Sequence, residues 1–132
     1  MLTRSRLRTV ETFIACLNSG DIDGLARVCD ANVQFIDSLS ETVAGRDNII
    51  GLMASFGDAA LGLKVDPSSI LTHRELVLVR AEMRSSDPRF AGPVYLTFLV
   101  AGGKIVSIQS SRGADAASII RAYRQPPPRL QA

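Results

Sequence analysis

At 132 residues, with 46% hydrophobic and 21% charged side chains, the chain has the length of one domain and the composition of a soluble globular one. Its net charge of +2 is dispersed apart from Arg4, Arg6 and Arg8, which leaves no basic face for nucleic acid. No apolar run approaches the roughly 20 residues that span a bilayer, and no signal-peptide core follows the basic start, so a cytoplasmic protein with neither membrane nor nucleic-acid partner is expected.

The periodicity predicts a first helix from about Thr3 to Ser19, with Leu7, Val10, Phe13, Ile14 and Leu17 on one face. Gly20 suits its C-terminal cap. Asp21 suits the N-cap of a second helix, Ile22 to Asp30, that buries Ile22, Leu25, Ala26 and Cys29. Gly24 weakens this helix by about 1 kcal/mol relative to alanine. Short strands are expected at Val33 to Asp37 and Glu41 to Ala44. Gly45-Arg46-Asp47 then opens a third helix with Ile49, Ile50, Met53 and Phe56 as its buried stripe. Beyond Gly57 the period changes. Leu63 to Thr72 reads as a strand interrupted by Pro67. Glu75 to Ser85 alternates, with Val77, Val79, Ala81 and Met83 on one face and Leu76, Leu78, Arg80, Glu82 and Arg84 on the other. A turn at Ser86-Asp87-Pro88 leads to a strand over Pro93 to Ala101, Gly102-Gly103 forms a hairpin turn, and Lys104 to Arg112 completes the hairpin. Asp115 to Tyr123 carries a weaker helical pattern. The proline-rich residues 125–132 read as a flexible tail behind a domain of residues 1–124.

Helices first and a meander afterwards argue an α+β fold. Cys16 and Cys29 fall at apolar positions and read as reduced core thiols. With only His73 to accompany them no zinc spacing exists, so no metal and no organic cofactor are expected. His73, at a strand junction, reads as a surface residue.

Four segments in order carry a resemblance. The run from Phe13 to Leu25 resembles the first helical hairpin of ketosteroid isomerases, and Asp30-Ala31-Asn32-Val33 resembles their entry into the first strand. Ala44-Gly45-Arg46-Asp47-Asn48-Ile49-Ile50 resembles the start of their third helix, and Gly103 to Ile108 resembles their last hairpin. The chain thus resembles the ketosteroid isomerase-like and SnoaL-like members of the nuclear transport factor 2-like superfamily. That resemblance implies a cone-shaped, curved antiparallel sheet covered by three N-terminal helices, with one pocket between them. It does not imply one reaction, because the fold serves isomerases, polyketide cyclases, epoxide hydrolases and binding domains.

Carried over residue by residue, the resemblance puts Asp37 at about the place of the isomerases' general base, two residues late in a longer segment. Phe13 stands where they have a tyrosine, and Tyr95 where they have a second oxyanion donor. Asp37 has an alternative reading as a turn residue capping Ser38-Leu39-Ser40, and Tyr95 as a packing residue of its strand. Arg80-Ala81-Glu82 resembles the arginine–acid pair of the epoxide hydrolases, but Ser110 stands where their second acid would be. The resemblance also sets Arg80 and Glu82 on the concave pocket side, against the plain rule that charges face water. The stripes Val77-Val79-Ala81-Met83 and Val94-Leu96-Phe98-Val100 would then cover the convex face and pair two copies into a homodimer.

The expected pocket has a wall of Phe13, Leu17, Ile36, Met53, Phe56 and Leu99 and a floor of Asp37, Arg80, Glu82, Tyr95, Ser110 and Arg112. Such a site suits a small hydrophobic or amphipathic molecule. The expected activity is a cofactor-independent isomerase or cyclase type of proton transfer, with Asp37 as base and Arg80 or Tyr95 on the enolate oxygen. A noncatalytic binding or dimerisation domain is the alternative, and epoxide opening by Arg80 and Glu82 a third. Two arginines in the floor would favour small carboxylates over neutral analogues.

Overall fold

The computed structural model describes residues 2–56, 62–112 and 120. Helix α1, Leu2–Ser19, is followed by α2, Ile22–Val28, and strands β1, Cys29–Ile36, and β2, Thr42–Ala44. Helix α3, Arg46–Phe56, precedes the strands β3, Lys64–His73; β4, Leu76–Arg84; β5, Gly92–Ala101; and β6, Lys104–Arg112. The six strands form one curved, unclosed sheet in the order β2-β1-β6-β5-β4-β3. The α+β fold with three leading helices is as expected. The sheet is mixed, because β1 runs parallel to β6 while every other neighbour is antiparallel. The helical pattern at Asp115 to Tyr123 and the 125–132 tail lie outside the described residues, except Ile120, which is fully buried in the core.

Local chemistry sets the helix ends. At the close of α1 the Asp21 amide donates to the Cys16 carbonyl at 2.9 Å and the Gly20 amide to the Leu17 carbonyl at 3.4 Å. This is a paired C-terminal cap, and it needs the left-handed φ of 75° that Gly20 adopts without steric cost. Asp21 then caps α2 by accepting from the Gly24 amide at 2.9 Å. The chain turns extended at Cys29, with φ −102° and ψ 136°. Cys29 and Asp30 therefore begin β1 instead of ending the helix. Cys29 pairs with Ile105 and has no exposed surface, and that burial pushes its thiol up to about 11.

The sheet buries one face. Val77, Val79, Ala81 and Met83 of β4 and Val94, Leu96, Phe98 and Val100 of β5 point to the helices, and Phe98 meets Phe13 of α1 edge to face at 5.4 Å. The expected convex dimer patch is corrected here. Those stripes are the core of one chain, and α1 and α3 already cover them. The turns that join the strands suit their residues. Gly102 and Gly103 take φ of 59° and 74° between the paired Ala101 and Lys104, the two-residue turn that matches strand twist.

Two irregularities keep the apolar side chains inward. Between Pro67 and Ser69 the register with β4 shifts by one residue, and Ser68 donates its hydroxyl to the Arg80 carbonyl at 3.1 Å. In β6, Leu99 pairs with Ser107 but Val100 pairs with Ile105, which leaves Val106 as an extra residue and lets both Ile105 and Ile108 face the core.

Candidate functional site

Beneath α1 and α3 the packing is incomplete. Phe13 and Leu17 descend from α1 and Leu52 and Met53 from α3. Phe35 of β1 and the inward side chains Met83, Leu96, Phe98 and Ile108 rise from the sheet. Leu63 and Val65 close one side, where Asn18 at the end of α1 grips the backbone of β3. Its amide nitrogen donates to the Val65 carbonyl at 2.7 Å, and its oxygen accepts from the Val65 amide at 2.8 Å. The atom-free space is about 540 Å³ with the open mouth included, and about 40 Å³ of it has room for the centre of a water-sized sphere. At ~10–15 Å³ per water on that measure, the space holds about three waters. A larger guest requires Leu17 and the pliable methionines to move.

Among the described residues, Ser110 supplies the one polar side chain of this lining. It is 3% exposed and sits opposite the inward Leu96, so the strand alternation directs it to the cavity. Among the described residues no charged side chain belongs to the wall.

Asp37 lies just beyond. The parallel register ends with Ile36 beside Gln109, and Asp37 and Ser110 are the next residue of each segment. Asp37 is 8% exposed, and its carboxylate organises the β1–β2 turn. One oxygen, Oδ1, accepts from the amides of Leu39 at 2.9 Å and Glu41 at 3.0 Å. The Asp37 amide donates to the Glu41 carbonyl at 3.0 Å, and the Ser40 amide donates back to the Asp37 carbonyl at 3.0 Å. Ser40 takes a left-handed φ of 62° to allow this. Arg112, half-buried at the end of β6, donates from Nη2 to the Arg89 carbonyl at 3.3 Å, and its amide donates to Ser38 Oγ at 3.3 Å. Burial holds its guanidinium below the ordinary arginine value, and the nearby negative charge of Asp37 pulls it back up. Neither Asp37 nor Arg112 is part of the cavity lining.

Of the expected wall, Phe13, Leu17 and Met53 are in place, and Ser110 is in place from the expected floor. Ile36 and Leu99 are half-buried on the opposite face of the sheet, in the rows of Gln109 and Ser107. The Phe56 side chain lies outside the described residues. Arg80, Glu82 and Tyr95 require correction. All three are exposed on the outer face, with Arg80 opposite Tyr95, and Tyr95 is 54% exposed. A one-residue change of register exchanges the two faces of a strand. The ordinary rule that places charge in water is the one that holds. It is also the signal that would have found Phe35, Met83, Leu96, Phe98 and Ile108 in the wall. Among the described residues no three His, Cys, Asp or Glu side chains converge as a metal site would require, and no helix is long and apolar enough to cross a membrane.

This architecture recurs in solved structures of low sequence identity. An LEH-like epoxide hydrolase from M. tuberculosis superposes with a TM-score of 0.75 at 16% identity, over 96% of this chain and 99% of that one. A protein of ketosteroid isomerase-like fold from Catenulispora acidiphila, crystallised with trimethylamine, gives 0.70 at 20% identity, over 82% and 87%. A de novo designed protein with a curved β-sheet gives 0.78 at 14% identity, over 94% and 98%. That a designed scaffold matches as well as an enzyme shows how little of the likeness concerns chemistry. No curated protein matches the sequence. The sequence profile of the SnoaL-like domain, however, matches residues 10–108, from the middle of α1 to the inward Ile108 of the last strand. Spanning both the helical cover and the sheet beneath it, that match makes the chain a member of the SnoaL-like family.

Proposed function

We propose that the chain binds a small, predominantly apolar molecule in the cavity beneath α1 and α3. Among the described residues the lining is uncharged and, Ser110 apart, hydrocarbon, and that is the observation that supports this reading. Each buried methylene contributes about 0.8 kcal/mol, so a six-carbon guest gains about 5 kcal/mol before the cost of association. Bare rings should therefore bind weakly, in the range that an NMR titration of the Met53 and Met83 methyl groups reads. Leu17→Trp, which places an indole in the cavity mouth, is expected to abolish those shifts while the circular dichroism spectrum persists. Wild-type protein whose methyl signals ignore every apolar probe, or a Leu17→Trp variant that binds as well, would overturn the reading.

Isomerase or cyclase chemistry with Asp37 as base is the second reading. The burial of Asp37, directly after Ile36, which pairs with Gln109 one position short of Ser110, supports it. Its test is deuterium wash-in at the carbons next to the carbonyl of cyclohexanone. Exchange accelerated by wild-type protein and not by Asp37→Asn would establish catalysis. Equal rates for the two would leave ligand binding as the activity. Arg80 and Glu82 lie apart from the cavity, so epoxide opening by that pair has no enclosed site to use.

A further inference from the structure

We propose that Ser110 selects the ligand, and that the selected class is a neutral, largely hydrocarbon molecule carrying one hydrogen-bond-accepting oxygen, such as a ketone or ether. The inference rests on the cavity being the binding site and adds what that site reads.

Ser110 is more than nine-tenths buried and lies in the cavity wall, and among the described residues its hydroxyl makes no hydrogen bond. Its oxygen is not sealed in the packing but borders the cavity space, where a hydroxyl without a partner is worse off than one in bulk water. Valine would suit a buried inward position of a central strand better on both packing and propensity. Water is a poor remedy. The space admits water, but an ordered water needs two to four polar partners, and among the described residues Ser110 is the one polar side chain in the lining. A guest with a single oxygen removes the deficit without importing a second. It accepts the Ser110 proton and leaves its carbon skeleton against Phe13, Leu52, Met83 and Phe98.

Charge is excluded by the same inventory. Among the described residues no arginine or lysine belongs to the wall, and Arg112 turns its Nη2 to the Arg89 carbonyl. An anion brought to Ser110 would exchange its hydration for one neutral donor, a poor replacement for a full charge. This ordering is the reverse of the carboxylate preference that an Arg80 facing the pocket would produce.

The test compares cyclohexanone, cyclohexene and cyclohexanecarboxylate on wild-type protein and on Ser110→Ala, read by the Met53 and Met83 methyl shifts. Because the ketone is better hydrated in water than the hydrocarbon, the informative quantity is the effect of the substitution on each probe. Ser110→Ala is expected to weaken cyclohexanone about five-fold, the worth of one net hydrogen bond, and to leave cyclohexene unchanged or tighter. The carboxylate is expected to bind neither protein. Ser110→Thr and Ser110→Val, nearly equal in shape, provide a second pair, in which only the threonine variant should keep the ketone's affinity. Equal effects of Ser110→Ala on ketone and hydrocarbon, or a carboxylate that binds more tightly than the ketone, would overturn the assignment while leaving the cavity as a binding site. Failure of both neutral probes to bind wild-type protein would overturn the assignment and the cavity reading together.

Discussion

Two amides depend on one oxygen at Asp37. Oδ1 is the acceptor for both Leu39 and Glu41, in a turn that also holds Ser40 at positive φ. Asp37→Ala should leave both amides without that acceptor and cost about 2 kcal/mol in urea denaturation. Asp37→Asn keeps an amide oxygen at the Oδ1 position, so its loss should be clearly smaller. Equal losses for the two variants would mean that the charge beside Arg112, and not the turn, is what the residue supplies. The comparison also calibrates the exchange experiment, since a stable Asp37→Asn protein is needed to read any effect on turnover. Asp37 had two readings in the sequence, base and turn former. Only the hydrogen-bond geometry reveals that the second is realised, because both readings require the same residue after the same strand.

Among the elements, α2 shows packing overruling propensity. Gly24→Ala should gain about 1 kcal/mol on intrinsic preference alone. An added Cβ would lie 2.5 Å from Cys16 Sγ and 2.6 Å from Asp21 Oδ2. Cys16 is buried against α2, and Asp21 is the residue that caps it, so neither retreats freely. The expected outcome is a net loss of about 1–2 kcal/mol, read as a lowered urea midpoint. A stabilised variant would show that the cap has room to shift. Much of the element pattern was legible in the sequence for reasons of equal simplicity. Helical spacing marked Phe13, Ile14 and Leu17, glycine marked the end of α1 and the β5–β6 turn, and Pro67 marked the break in β3. The facing of the strands was not legible in the same way. Val106 and Ser68 are extra residues whose presence depends on the neighbouring strand, so a simple alternation carried through them puts the later residues of each strand on the wrong face. The pocket floor inferred by likeness to other proteins failed for another reason: at Arg80, Glu82 and Tyr95, in strands whose alternation is unbroken, the likeness was set above the plain rule that charge faces water, while Ser110 kept its place.

For the whole molecule, the inward stripes decide what a charge would do. Val79 and Phe98 are 2% and 0% exposed, and Tyr95 on the other face is 54% exposed. Phe98→Asp or Val79→Asp should remove more than about 4 kcal/mol and unfold the chain. Tyr95→Asp should change stability by no more than about 0.5 kcal/mol. Circular dichroism with native mass measurement distinguishes this from the dimer expected from the sequence. A folded monomer produced by Phe98→Asp would restore the opposite assignment of faces.

The parallel contact between β1 and β6 has a consequence for how the protein comes off the ribosome. Phe35 and Ile108 are partners in adjacent strands, yet 73 residues of chain separate them. Nearly everything between must be synthesised before β1 gains its second neighbour, and until then β1 has only the three-residue β2 beside it. The nascent chain therefore carries an unpaired strand edge through most of translation, with Val33 and Phe35 lacking the floor that later covers them. Contacts so distant along the chain slow the closing step. During that interval the growing polypeptide is most open to chaperones and to pairing with the wrong strand. The cavity, walled from Phe13 to Ser110, comes into being only when that step is done.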